Sequence, residues 1–240
     1  MTTDLVALKK WARMAGWLTL VLAILGPIAL MAIPSRFLVP GDAAATVSHL
    51  RAHENLFRVG LVIDAVICFV EIVLPVVLFE LFKPVNQTLS LVAMVFRLAM
   101  AVLQGVNLVN KLFVLLLLGS AGFVSAWGPE RLDSLVMLFL EGNAKVVFVW
   151  QAFFGLHCFL LGYLAFRSGY IPRVVGLLLV LAAAGYFSDS LGNFLAADYK
   201  SHYGWIVTVT APVGELVFML WLLIKGVAIP KISGAAVQAA

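Results

Sequence analysis

Residues 57–82 read FRVGLVIDAVICFVEIVLPVVLFELF and residues 88–118 read TLSLVAMVFRLAMAVLQGVNLVNKLFVLLLL, with only Lys83-Pro84-Val85-Asn86-Gln87 between them. A helix needs ~20 apolar residues to cross the hydrocarbon core of a bilayer. Both runs exceed that, so the pair reads as two antiparallel spans joined by a tight proline turn. Each must be helical, because lipid offers the backbone no hydrogen-bond partner. Near the middle of each run stands a charge, Glu71 in the first and Arg97 in the second. A charge at the bilayer centre costs at least ~2.5–3.5 kcal/mol on insertion scales. Counted at ~1.5 Å per residue from the turn, Glu71 lies ~16 Å back and Arg97 ~14 Å forward. Antiparallel neighbours would set the carboxylate and the guanidinium side by side. The same count sets Asp64 opposite Gln104, with Asn107 one turn further out.

The rest of the chain has the same character. Its 240 residues are 63% hydrophobic and 12% charged, with a mean hydropathy of +1.08, whereas a soluble domain carries roughly 25% charged residues. The polar exterior is missing, so most of the surface faces lipid. Further qualifying runs are 11–33, 145–166, 174–195 and 205–226. The expectation is one all-α domain over 1–240, a polytopic membrane helix bundle of six transmembrane helices. The 88–118 run is longer than a perpendicular span requires, which calls for tilt or an extension beyond the membrane. Lys9, Lys10 and Arg13 before the first run resemble the start of a signal peptide. The apolar part, Trp11 to Ile33, is longer than the ~7–15 residues of a signal core, and Ala32-Ile33-Pro34-Ser35 is a poor cleavage site. The first run reads as a retained helix. Cys68 and Cys158 lie inside apolar runs and form no disulfide framework.

The net charge is +4, but the basic residues sit at the ends of apolar runs and not on one soluble element, which speaks for membrane topology and against nucleic acid. With the first basic cluster inside, Lys83, Arg167, Arg173, Lys225 and Lys231 are inside as well. The outer connections, 34–56 and 119–144 among them, mix Arg36, Arg51, Arg131 and Lys200 with Asp42, Glu54, Glu130, Asp133, Glu141 and Asp198. Both termini are therefore expected in the cytoplasm. Two short helices are expected at the outer interface. One is capped by Asp42 and covers Ala43 to Glu54; the other opens at Pro129 and ends near Glu141. The tail from Ile232 reads as loose. The turns at Pro84 and Pro172 are compatible with a helical-hairpin repeat, but no side-chain pattern repeats, and up-and-down connectivity is the simpler reading.

Depth counting puts Glu71, Arg97, His157 and Glu215 near the midplane. Asp64, Gln104, Asn107, Gln151, Asp189 and Asn193 form a second layer nearer the outside. Facing agrees with depth. Ser90, Arg97, Gln104 and Lys111 recur every seven residues, as do Asp64 and Glu71, and Thr208 and Glu215, while Tyr186, Asp189 and Asn193 share a face. Polar stripes on membrane helices point into the bundle. Lys111, near the outer end, is expected to snorkel to the headgroups. Two readings of Glu71 with Arg97 stand: a structural ion pair that fixes register, or part of a working site. His157 by itself reads as a hydrogen-bonded packing residue. Four carboxylates and a histidine against one arginine nevertheless require shared protons, ordered water or a ligand cation. Ala211-Pro212-Val213-Gly214 before Glu215 predicts a discontinuous sixth span, a pointer to binding sites in transporters, and Pro75 does the same for the second span.

Soluble chemistry has few footholds. His49 and His53 stand at a metal-binding spacing beside Glu54, but the run is not H-E-x-x-H and reads as a solvated helix face. No glycine-rich phosphate loop and no G-x-S-x-G occur. No metal or other cofactor is expected.

Several stretches together resemble one family. They are Val39-Pro40-Gly41-Asp42-Ala43-Ala44-Ala45-Thr46, Glu54-Asn55-Leu56-Phe57-Arg58, Lys83-Pro84-Val85-Asn86, Gly155-Leu156-His157, Phe166-Arg167-Ser168-Gly169-Tyr170-Ile171-Pro172-Arg173 and Gly185-Tyr186-Phe187-Ser188-Asp189-Ser190. The chain is similar, from its first span to about Val227, to the bacterial membrane proteins called domain of unknown function 4386. The resemblance implies a multi-pass protein of the bacterial cytoplasmic membrane and supplies no activity. From the residues, the leading expectation is a small proton- or cation-linked transporter in which Asp64, Glu71, Asp189 and Glu215 exchange protons or bind a cation and Arg97 tunes them. A non-catalytic accessory or sensor protein that binds a lipid or small amphiphile is the alternative. An intramembrane metal-dependent hydrolase using His157 with Asp64 or Asp189 lacks enough ligands, so an enzyme is not the favoured reading. The partners expected are the lipid bilayer and a small ligand, proton or cation in the bundle.

Overall fold

The computed structural model describes residues 2–119, 127–196 and 198–227. Among them are eight α-helices and no strand: α1 (Thr2–Pro27), α2 (Ala43–Ala52), α3 (Glu54–Phe82), α4 (Gln87–Leu118), α5 (Pro129–Arg167), α6 (Arg173–Leu195), α7 (Tyr199–Tyr203) and α8 (Trp205–Ile224). Six stretches are long and apolar enough to cross a membrane: Val6–Arg36, α3, α4, α5, α6 and α8. The tail from Ile232 lies outside the described residues.

Neighbours in sequence are neighbours in space. Helix α1 packs on α3, α3 on α4, α4 on α5, α5 on α6, α6 on α8, and α8 returns to α1, so the six spans close into an up-and-down ring. Short turns enforce this order. Asn86 caps α4 by accepting from the Leu89 amide at 2.9 Å, and the Tyr170 hydroxyl donates to the Leu81 carbonyl at 2.6 Å, tying the α5–α6 turn to the α3–α4 turn. Both turns lie at one end of the bundle with Lys83, Arg167 and Arg173, here called the basic end.

The bundle is turned inside out relative to a soluble one. Along α3, Phe57, Asp64, Glu71 and Leu78 are buried while Val62, Phe69 and Val76 are exposed, Phe69 by 68%. Along α4, Val95, Val102 and Val109 are exposed, each two residues before Arg97, Gln104 and Lys111. Two residues of helix are ~200° of rotation, so the apolar stripe faces lipid where the polar stripe faces inward. Apolar clusters close both ends of the interior. Leu74, Leu81, Phe82, Leu164, Leu179 and Leu222 fill the basic end, and Phe37, Leu50, Phe57, Val114 and Val136 fill the far end.

A first short helix, α2, covers Ala43–Ala52, two residues short of the expected Glu54, and is capped by Asp42, which accepts from the Ala45 amide at 2.8 Å. The second is not separate. Pro129 opens a single helix of 39 residues that runs to Arg167, ~58 Å long against a hydrocarbon core of ~30 Å. Nothing between Glu141 and Lys145 breaks it, and Asn143 is pinned to α4. The Asn107 amide donates to the Asn143 carbonyl at 3.0 Å, and the Asn143 amide donates back to the Asn107 carbonyl at 3.3 Å. The predicted interruption of the sixth span is also absent, because α8 runs unbroken through Pro212 and α3 runs unbroken through Pro75. One proline removes one amide donor, and ending the helix in lipid would orphan several more groups. The irregular backbone falls in the first span instead, where a π turn over Ile28–Ala32 follows Pro27.

Helices α5 and α6 touch backbone to backbone. A Cβ built on Gly176 would lie 2.6 Å from the Gly162 carbonyl oxygen and 2.7 Å from the Phe166 amide nitrogen. Gly176→Val is expected to force the pair apart and cost at least ~1–3 kcal/mol, read as a lowered Tm of the helical circular dichroism signal in detergent. Gly105→Ala, whose new Cβ meets nothing within 4 Å beyond its own helix, does not lower Tm.

Candidate functional site

The centre of the ring is built on Arg97. Its Nε donates to Glu71 Oε2 at 2.6 Å, and both side chains are buried. Its Nη1 lies 3.2 Å from His157 Nε2, and its guanidinium carbon sits 5.0 Å from the centroid of the Phe154 ring. Helices α3, α4 and α5 are thus joined through one side chain. His157 also reaches the Ala93 carbonyl through Nδ1 at 2.9 Å. A carbonyl only accepts and a guanidinium only donates, so Nδ1 carries the proton and Nε2 is the acceptor. The imidazole is neutral and both of its nitrogens have protein partners.

Helices α6 and α8 complete the layer. The Tyr186 hydroxyl donates to Glu215 Oε1, and Glu215 lies within electrostatic range of Arg97 and Glu71. The Phe154 ring meets Tyr186 edge-on at 4.9 Å and stacks on His157 at 5.8 Å. One ring thus touches Arg97, His157 and Tyr186, the partner of Glu215. The expected midplane group of Glu71, Arg97, His157 and Glu215 is therefore assembled, with Tyr186 and Phe154 as members that depth counting alone did not pick out.

The layer nearer the far end departs from expectation. Asp64 was expected beside Gln104, but its partner is Lys111, whose ammonium lies 2.5 Å from Asp64 Oδ2 with both side chains largely buried. Lys111 does not snorkel outward. Helix side chains lean toward their own N-terminus. In the antiparallel α3 and α4, Asp64 leans to the far end and Lys111 leans inward, so they meet across one heptad. Gln104 is left with a buried Oε1 that has no partner among the described residues. Asn107 is spent on Asn143 and Asn110, a structural use.

Asp189 is buried on α6 and accepts from Asn193 Nδ2 at 3.2 Å, while the same amide donates to the Asp189 carbonyl at 2.7 Å. The Gln151 amide lies beside Asp189, and Gln151 Oε1, also buried, has no donor among the described residues. Asp64, Glu71, Asp189 and Glu215 thus fall into two classes. The first two have cations of their own, and the last two make no ion pair among the described residues. His49 and His53 are exposed at the far end, apart from this layer.

An inward-facing polar layer, lipid-facing apolar stripes and six spanning helices define a multi-pass membrane protein. The chain belongs to the family described as Domain of unknown function (DUF4386), whose model matches residues 14–226. It is similar to an uncharacterized protein of Archaeoglobus fulgidus, 28% identical over 160 residues that make up 67% of this chain and 79% of that protein. No solved structure matches it.

Removing one member of the central pair leaves a buried charge uncompensated. Arg97→Met is expected to cost ~3–5 kcal/mol, with the double change Glu71→Leu and Arg97→Met recovering most of the loss. Thermal unfolding of the three variants in detergent checks this, and equal destabilisation by single and double variants would contradict the pairing.

Proposed function

We propose that the protein is a small proton- or cation-linked carrier of the cytoplasmic membrane of a bacterium, with both termini in the cytoplasm. The observation that carries this reading is Glu215, a carboxyl near the midplane held by the Tyr186 hydroxyl and facing an arginine already paired with another acid. A carboxylate in this position is stabilised by the field of Arg97 and by one hydroxyl donor. A carboxyl that gains a proton can still be held by the hydroxyl oxygen. Both charge states are supported, which a proton-exchanging group needs.

Tyr186 and Asp189 share a face of α6. The series Asp189, Tyr186, Glu215 therefore runs from the far-end layer to the midplane, with Gln151 beside its outer member. Oxygen acceptors dominate it, and the two buried amide oxygens of Gln104 and Gln151 are available to water or a cation. The orientation is supported by the gathering of Lys83, Arg167 and Arg173 at one end. The accessory or sensor reading draws on a different observation: Arg97 and Lys111 neutralise two of the four interior acids with no ligand at all.

Proteoliposomes carrying a luminal pH dye separate the two. Wild type is expected to collapse an imposed pH gradient faster than empty vesicles, and Glu215→Gln and Asp189→Asn to slow this by ~10-fold or more. A wild-type rate equal to that of Glu215→Gln would reject the carrier and leave ligand retention as the property to measure.

A further inference from the structure

At the basic end, a hollow of about 320 Å³ lies between the α3–α4 and α5–α6 turns, lined by Pro84, Val85, Asn86, Tyr163, Arg167, Ser168 and Tyr170. We propose that it binds the phosphate-bearing headgroup of an anionic glycerophospholipid. This site is separate from the acids of the midplane and stands whether or not the bundle transports anything.

The hollow's hydrogen-bonding groups divide sharply. Ser168 and Tyr170 are spent on its walls: Ser168 Oγ donates to the Ala165 carbonyl and accepts from the Ile171 amide, and Tyr170 donates to Leu81. Asn86 uses its oxygen to cap α4, which leaves its NH2 group. What remains uncommitted among the described residues is the Asn86 amide, the Tyr163 hydroxyl and the Arg167 guanidinium. All three are able to donate, and one is charged, a set that suits an anion. The start of the 32-residue α4 beside Asn86 adds partial positive charge of the same sign. The other cations of the two turns are engaged elsewhere. Lys83 pairs with Glu80 at 2.6 Å, and Arg173 lies over the Phe166 ring at 5.4 Å. Arg167 makes no ion pair among the described residues.

Exposure points to a lipid as the source of the phosphate. Phe159, Tyr163 and Arg167 are spaced by four along α5 and form one exposed stripe, Phe159 by 47% and Tyr163 by 45%. On a spanning helix such a stripe faces acyl chains. The stripe ends in an aromatic hydroxyl and then a guanidinium, the order of an interfacial anchor. The hollow thus opens sideways to the bilayer at headgroup depth. Its volume is at the low end of the ~300–1,000 Å³ of small-molecule sites, enough for a headgroup with the chains left outside along Phe159. Basic hollows between helices on the cytoplasmic side are suited to anionic headgroups.

The test uses the delipidated full chain and native mass spectrometry after incubation with dioleoyl-phosphatidylglycerol or dioleoyl-phosphatidylcholine. Wild type should retain the anionic lipid about fivefold better, the scale of one basic side chain at an anionic surface. Arg167→Gln should abolish the preference and Tyr163→Phe should reduce it, whereas Arg131→Gln at the far end should leave it intact. Arg167 and Tyr163 are exposed, and matching circular dichroism of the variants confirms that they fold. Equal retention of the two lipids by wild type, or an undiminished preference in Arg167→Gln, would overturn the proposal. Displacement of the bound lipid by equimolar inorganic phosphate would overturn it as well, by showing a site for soluble anions.

Discussion

A guanidinium in the middle of a hydrocarbon slab has no water for its five N–H donors, and every one that protein does not satisfy is a penalty on folding. Arg97 meets this constraint by drawing on its neighbours: the Glu71 carboxylate, the Nε2 lone pair of His157 and the face of Phe154. Those partners come from α3 and α5, on either side of its own helix. One side chain therefore sets the mutual height and rotation of three spans. The His157 tautomer follows from it, because Nε2 must accept and Nδ1 must turn its proton to the Ala93 carbonyl.

Once that layer is set, the other polar residues sort by distance from it. Asp64 lies too far out for Arg97 and is met by Lys111, a second pair that locks α3 to α4 one layer nearer the far end. Asn107 and Asn143 clamp α4 to α5 beyond it through each other's backbone. Helices α6 and α8 lie across the ring and bring no cation of their own to the centre. Their acids, Asp189 and Glu215, rest on amides and a phenol. The acids of α3 are held by cations of α4, whereas those of α6 and α8 make no ion pair among the described residues.

The two ends of the bundle have different work. The far end is sealed by apolar packing between α2, α3, α4, α5 and the end of the first span. The basic end is gathered by two turns that bond to each other through Tyr170 and Leu81, with a hollow between them. A lipid phosphate there would meet Arg167, which makes no ion pair among the described residues, and would steady the very turns that hold α3 to α4 and α5 to α6.

Much of this was legible from residue order. Spans of ~20 apolar residues separated by turns of a few residues leave little choice but an up-and-down helical bundle, and counting from the Lys83–Gln87 turn placed Glu71 against Arg97. The heptad of Ser90, Arg97, Gln104 and Lys111 identified the inward face of α4. The second outer helix was expected to end near Glu141, whereas the helix from Pro129 runs on to Arg167 with Asn143 held by Asn107 of α4. The break expected at Pro212 did not occur, because lipid penalises a helix end more than one missing donor.

What the sequence by itself determined, then, was class, span count, facing and approximate level along the bundle, since these follow from periodicity and from the cost of polar groups in hydrocarbon. Beyond Glu71 and Arg97, which polar group meets which was decided only by the tertiary structure. Asp64 takes Lys111 rather than its level neighbour Gln104, and Glu215 takes Tyr186 rather than a cation. Pairing depends on where long side chains lean and on which helices adjoin in the ring, and neither is written along any single helix.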